Sequence, residues 1–239
     1  MDRILLIETA TEVCSVALIE NNEVLALREI SEGKSHAGVL TLFIQEILEE
    51  AKFSIDSLDA VAVSMGPGSY TGLRIGVSVA KGLCYGRDIP LIGIPTLESM
   101  FQGMINRLTI MKYDFNDNDI FIPMIDARRL EVYMAIFDGK GKQLKDTCAI
   151  IVESDSFKTL LDTSKVFFFG SGALKLKNII THKNAVFDAN FVHSSINMSV
   201  LTLNKFHIKK FVDTAYFEPF YLKDFISTVP KKKLQIIPL

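Results

Sequence analysis

Apolar positions along this chain switch between two spacings, and the order in which they switch occurs twice. Ile4-Leu5-Leu6-Ile7 is an unbroken apolar run that stops on Glu8. The turn Thr9-Ala10-Thr11 leads into a second run, Val13 to Ile19. Asn21-Asn22, a pair that tolerates left-handed backbone, then reverses the chain into Val24 to Leu27. Three antiparallel strands are the reading. About 118 residues later the pattern returns. Phe121 to Ile125 stops on Asp126, Ala127-Arg128-Arg129 turns, Glu131 to Phe137 comes back, and Asp138-Gly139-Lys140-Gly141 supplies the next reversal. A repeat of such long period, heading each half of the chain, predicts two lobes of related topology rather than a solenoid.

Helical spacing follows the first hairpin. From a cap at Ser35, apolar residues recur at Leu40, Phe43, Ile44, Ile47, Leu48 and Ala51, three and four apart. Val39 and Leu42 widen that stripe beyond what one sheet face needs. A helix covered by its own sheet on one side and by another protein on the other would show this, as would a helix inside a crowded lobe. Leu58 to Met65 reads as a buried strand. After the loop Gly66-Pro67-Gly68-Ser69 a second helix runs to about Tyr85, with Gly72, Gly76 and Ala80 four apart on one side. That small-residue face predicts a close helix contact at a cost in helicity of roughly 1 kcal/mol per glycine. Leu91 to Ile94 is a further strand, with Thr96 as the cap of the helix after it. The polar run Tyr113 to Asp119 makes the boundary between lobes, giving an N-terminal lobe 1–112 and a smaller C-terminal lobe 113–239. In the second lobe, Val166 to Phe169 is a buried strand, and Gly170-Ser171-Gly172-Ala173 opens a helix-like stretch. The aromatic segment Tyr216 to Leu222 is placed to dock back on the first lobe, before Pro230 and three lysines.

Composition narrows the class. With 239 residues, 49% hydrophobic and 23% charged, the chain has the balance of a folded protein and not of a disordered one. Its apolar runs are far below the ~20 residues that cross a bilayer, and Met1-Asp2-Arg3 leads directly into the first strand, so the expectation is a cytoplasmic protein without a signal peptide. Cys14, Cys84 and Cys148 are too few and too scattered for a zinc or disulfide framework. The net charge of -2 conceals an asymmetry: residues 1–139 carry 11 Lys and Arg against 20 Asp and Glu, and residues 140–239 carry 15 against 8. Such a split fits two faces serving different partners, nucleic acid among them, and equally fits scattered surface charge.

Candidate chemistry is tested against spacing. His36, His182, His193 and His207 include no pair one helical turn apart, so a helix-borne zinc site is excluded. Gly66-Pro67-Gly68-Ser69-Tyr70 has neither the Gly-x-Ser-x-Gly of a nucleophile elbow nor the Gly-Lys-Ser/Thr of a phosphate loop, and Ser69 reads as a helix cap. Two facing strand-turn-strand loops could hold a nucleotide and magnesium through Glu8, Thr9 and Asp126, with Gly170 and Gly172 near an adenosine. Loops that do so place glycine directly after the acid, and here Thr9-Ala10 and Ala127-Arg128 stand there. Phosphoryl transfer by this chain alone is therefore disfavoured, and Asp126 with Arg128-Arg129 reads first as a structural ion-pair cluster.

One run is specific. Met65 to Gly76 (MGPGSYTGLRIG), followed by Ala80-Lys81-Gly82-Leu83, resembles the signature of the TsaB family of tRNA threonylcarbamoyladenosine biosynthesis proteins. Glu8 to Thr11 before Cys14 to Leu18, Ser35-His36, Ile125 to Arg129 with Glu131 to Tyr133, Gly170 to Ala173 and Pro219 to Leu222 agree in order, so the likeness spans nearly the whole chain. The resemblance implies an α/β, actin-like ATPase (ribonuclease H-like) fold of two duplicated lobes, with mixed sheets flanked by helices. It implies a non-catalytic subunit that pairs with TsaD, the subunit that transfers threonylcarbamoyl to adenosine 37 of tRNA, with the ATPase TsaE joining. It also implies tRNA contact through the complex, and no metal or tightly held cofactor of its own, ATP or ADP and magnesium belonging to the assembly. Docking would use the first two helices, with Leu40, Phe43, Ile44, Ile47, Leu73, Ile75, Val77 and Val79 as interface residues, and a homodimer would form through the same face without the partner. The alternative is a small actin-fold ATPase or kinase with degenerate phosphate loops.

Overall fold

A computed structural model describes residues 2–31, 36–128 and 131–223. Ser35, Arg129 and the lysines after Pro230, named above, lie outside the described residues. Strands β1 (Arg3–Glu8), β2 (Cys14–Glu20) and β3 (Glu23–Ile30) form the antiparallel unit read from the sequence. Helix α1 (His36–Ala51), β4 (Ala60–Gly66), α2 (Tyr70–Arg87), β5 (Leu91–Pro95) and α3 (Thr96–Ile110) follow. The second half runs β6 (Ile120–Asp126), β7 (Glu131–Asp138), β8 (Gln143–Ile151), α4 (Lys158–Thr163), β9 (Val166–Phe169), β10 (Ala185–Asp188) and α5 (Ser199–His207).

The two sheets are ordered β3-β2-β1-β4-β5 and β8-β7-β6-β9-β10. In each, the first three strands in sequence are antiparallel and the last two lie parallel to the first. The halves are thus topological copies, the α/β arrangement of duplicated mixed sheets expected for the actin-like fold. Two differences from the expected elements appear. The stretch after Gly170-Ser171-Gly172-Ala173 is one 3-10 turn, Leu174–Leu176, not a helix. Thr96 is the first residue inside α3 instead of its cap, and its buried hydroxyl accepts a hydrogen bond from the Gly66 amide at 3.2 Å.

Helices α1 and α2 cover one face of the first sheet, where Leu5, Ile7, Val16, Val61 and Val63 meet Leu40, Ile47 and Val77. The opposite face is covered by residues from the far end of the chain: Met198 and Leu203 pack on Ile4, Leu6, Ala62 and Ile92. Reciprocally, α3 of the first half lies on the second sheet, with Phe101 against Phe121 and Phe137. The tail then returns along the first lobe. Val212 bridges to Leu91, Phe217 lies 3.1 Å from where a Cβ on Gly93 would stand, Lys81 donates to the Ala215 and Phe217 carbonyls, and Phe220 N–H donates to the Met65 carbonyl. Burial at both faces of each sheet explains why the central strands read as unbroken apolar runs.

Candidate functional site

Glu8 closes β1 with its side chain fully buried. Its Oε1 accepts from the Ala10 amide at 2.5 Å, and its Oε2 accepts from His193 Nε2 at 2.8 Å. Asn197 Nδ2 lies 3.2 Å from His193 Nδ1; with that amide donating, the ring proton sits on Nε2 and points at the carboxylate. The segment carrying His193 is fixed by its neighbours. Ser195 N–H donates to Ser15 Oγ at 3.0 Å, and Ser194 Oγ donates to Glu29 at 2.7 Å. The strand-end acid expected to face a nucleotide is therefore capped by the chain's own imidazole, and burying a carboxylate in this way is tolerated only because both oxygens are satisfied.

The other nucleotide candidates are buried or engaged within the chain. Thr9 is fully buried: its N–H donates to Ser64 Oγ at 3.3 Å, and its Oγ1, without a hydrogen-bond partner among the described residues, faces Gly76. Asp126 is exposed, ion-paired to Lys175 at 2.6 Å, and accepts from its own turn at Arg128 N–H. A Cβ on Gly170 would stand 2.4 Å from the Met124 carbonyl oxygen, and one on Gly172 3.0 Å from Met124 Cβ. These glycines let the turn after β9 lie against β6; they do not leave backbone bare for a ligand. The residues present do not fit a bound nucleotide in this arrangement. A cleft of about 280 Å³ opens between the lobes, with Gly66, Pro95 and Phe220 on one wall and Phe137, Gln143 and Thr147 on the other. None of Glu8, Thr9, Asp126, Gly170 or Gly172 lines it. Among the described residues no cluster of three or more His, Cys, Asp or Glu could hold a metal. No helix among them is long and apolar enough to cross a membrane.

The small-residue face of α2 has a different use from the helix contact expected. A Cβ on Gly72 would meet the Thr9 carbonyl oxygen at 2.1 Å, one on Gly76 would meet Thr9 Oγ1 at 2.2 Å, and one on Gly68 the Ala10 carbonyl oxygen at 2.2 Å. Gly72 and Gly76 therefore admit the β1–β2 loop, and Ala80, fully buried, faces the lobe's own core. Ser69 caps α2, its Oγ accepting from the Gly72 amide at 3.2 Å.

The interface residues expected from the resemblance divide in two. Leu40, Ile44, Ile47 and Val77 are buried in the first lobe's own core, Leu73 is buried beside Gly66, and none of the five is available to a second protein. Their periodicity came from the sheet beneath them. Phe43, Ile75 and Val79 are half-buried at its edge. The apolar groups left open on these helices are Leu42, 48% exposed, and Tyr85, 87% exposed. Gly82 and Gly86 stand with nothing within 4 Å of where a Cβ would be. The pairings of His193, Ser194 and Ser195 carry no local signal, because their partners Glu8, Glu29 and Ser15 are 185, 165 and 180 residues away; only Asn197, four residues from His193, has its hydrogen-bond partner close by in sequence.

Comparison with known proteins bears on the family and the fold. The sequence profile of the TsaD family, described as tRNA N6-adenosine threonylcarbamoyltransferase, matches residues 24–225. The tRNA threonylcarbamoyladenosine biosynthesis protein TsaB of Escherichia coli is 40% identical over 133 residues, which cover 56% of this chain and 54% of that protein. The chain thus spans about half the length of that curated relative. TsaB of Buchnera aphidicola subsp. Baizongia pistaciae is 27% identical over 87% of this chain and 92% of its own. YeaZ from Pseudomonas aeruginosa superimposes with a TM-score of 0.76 at 22% identity, over 93% of this chain and all of that one, a likeness of fold.

Proposed function

We propose that this chain, which belongs to the TsaD family and is similar to the members named TsaB, is a non-catalytic subunit of the machinery that makes threonylcarbamoyladenosine in tRNA. It docks a TsaD-type catalytic subunit through the outer faces of α1 and α2 and activates threonylcarbamoyl transfer to adenosine 37. One observation carries this reading. The acid at the end of β1 is spent on the chain's own His193, while the outer side of α2 keeps two glycines in open space beside an exposed tyrosine.

An actin-like lobe whose strand-end carboxylate points at its own histidine has no place for a magnesium-bound polyphosphate. Catalysis then belongs to a partner, and any ATP or ADP with magnesium belongs to the assembly. Glycine inside an exposed helix costs about 1 kcal/mol against alanine, a cost with no return in the isolated chain. Bare glycine with Tyr85 and Leu42 alongside suits the close approach of another subunit. TsaE and tRNA join through the assembled complex, and the same face pairs two copies when the partner is absent.

Mixing the purified chain with the TsaD protein of its own organism tests the reading, with calorimetry for association and labelled threonylcarbamoyl adenylate with tRNA for transfer, the adenylate leaving as AMP. The chain alone yields no modified tRNA, the pair associates, and transfer rises when both are present. Transfer or brisk ATP hydrolysis by the chain alone, or no association, overturns it.

A further inference from the structure

Both helices of the proposed docking face are seated on one short loop, Thr9-Ala10-Thr11. His36, the first residue of α1, has its Nε2 3.1 Å from the Thr11 carbonyl oxygen. Ser69, the cap of α2, donates its N–H to the Ala10 carbonyl at 2.7 Å. Gly68, Gly72 and Gly76 let the same loop press against the start of α2, with Thr9 and Ala10 filling the space a side chain would need.

The loop takes its shape from Glu8. The carboxylate pulls the Ala10 amide inward at 2.5 Å, and its other oxygen is held at 2.8 Å by His193. His193 is in turn steadied by Asn197, and Asn197 fills the gap left by Gly103 of α3, where a Cβ would stand 2.4 Å from its amide carbon. An unbroken run of contacts therefore leads from α3, which packs on the second sheet, through Asn197, His193, Glu8 and Ala10 to the cap of α2, and the adjoining Thr11 carries it to the first residue of α1.

We propose that His193 is a positioning residue for the docking surface: from the far half of the chain it fixes Glu8, and through Glu8 the loop on which α1 and α2 are seated. The proposal rests on the docking reading for its effect on a partner, but its structural half stands without one. A donor at Nε2 suits the task, because it orients a buried carboxylate whose other oxygen is already committed to a backbone amide.

Hydrogen exchange on the full chain tests it. In His193→Ala, the amides of Ala10 and Ser69 exchange at least tenfold faster, while amides of β6, β7 and β9 change less than twofold. Affinity for the TsaD-type subunit falls at least tenfold. His193→Gln, whose amide N–H can reach the same carboxylate, restores most of both. Adding Glu8→Gln to His193→Ala weakens binding little further, since the two act in series. Should His193→Ala not fold, Asn197→Ala, which keeps the imidazole but frees its orientation, accelerates the same two amides by a smaller factor.

Wild-type exchange at Ala10 and Ser69 in these variants overturns the proposal, and so does equal loss of protection in both sheets. If the unmodified chain binds no TsaD-type subunit, the docking reading fails, and the exchange pattern alone decides the role of His193.

Discussion

Alanine at Gly72 and alanine at Gly82 change the same helix by the same methyl group and are expected to move stability in opposite directions. At Gly82 the new Cβ meets nothing within 4 Å, so the substitution acts on helix propensity alone and stabilises the isolated chain by up to about 1 kcal/mol. At Gly72 it would stand 2.1 Å from the Thr9 carbonyl oxygen, a backbone atom that must retreat by more than 1 Å to reach ordinary contact. Forcing an extra methyl into a packed site costs about 1 to 3 kcal/mol. Moving Thr9 also strains the adjoining 2.5 Å bond from Ala10 to the Glu8 carboxylate, a charged-acceptor bond worth about 1.5 to 3 kcal/mol. Less the same gain in propensity, the net loss is roughly 1.5 to 5 kcal/mol. At 2–4 °C per kcal/mol for a chain of this size, the two variants should melt on opposite sides of the wild type and differ by about 5 °C or more. Urea unfolding followed by far-UV circular dichroism, with equal m-values required, gives the comparison. If Gly72→Ala proves as stable as Gly82→Ala, the loop does not occupy the small-residue face, and the account of the site fails with it.

Other expectations follow from burial. Leu40→Ala, in the core, costs about 2 to 5 kcal/mol, whereas Leu42→Ala one turn-face away stays within about 0.5 kcal/mol, as judged by urea midpoints. Tyr85→Ala leaves the stability of the isolated chain unchanged but weakens association with the TsaD-type subunit about tenfold or more in calorimetry; an unaltered affinity would move the interface elsewhere. Burial first, then the neighbouring Glu8 charge, pushes the Cys14 thiol up to about 11, and burial pushes Cys84 up to about 12. Both folded values exceed the ordinary 9.0. The unfolded chain therefore releases these protons first, and stability present below pH 9 is lost as pH rises toward 11 and 12. Cys84→Ala should flatten that decline in midpoint-against-pH curves. Alkylation at pH 8 labels Cys148 in the native chain, with Cys14 and Cys84 following only after unfolding.

The amino-acid order determined a good deal by itself. Strands β1, β2, β3, β6, β7 and β9, the helices α1 and α2 and the duplication of the sheet unit were legible, because unbroken apolar runs, paired turn residues and three-and-four spacing are local properties of a chain. So was the family, through one glycine-rich run. Tertiary structure decided what those residues meet. The stripe on α1 and α2 marked burial correctly, but only the packed structure tells Leu40, Ile44, Ile47 and Val77, spent on the lobe's own sheet, and Leu73, buried beside Gly66, from Leu42 and Tyr85, which stay open. Periodicity reports that a side chain leaves water, not which surface takes it. Gly72 and Gly76 announced a close approach, yet the approaching body was the loop at Thr9 and not a helix. Glu8 stood where a nucleotide's metal could be held until His193, 185 positions along, occupied it. A contact between residues so far apart has no periodicity and no motif, and exists only once both lobes have folded and brought α3 and α5 between their sheets.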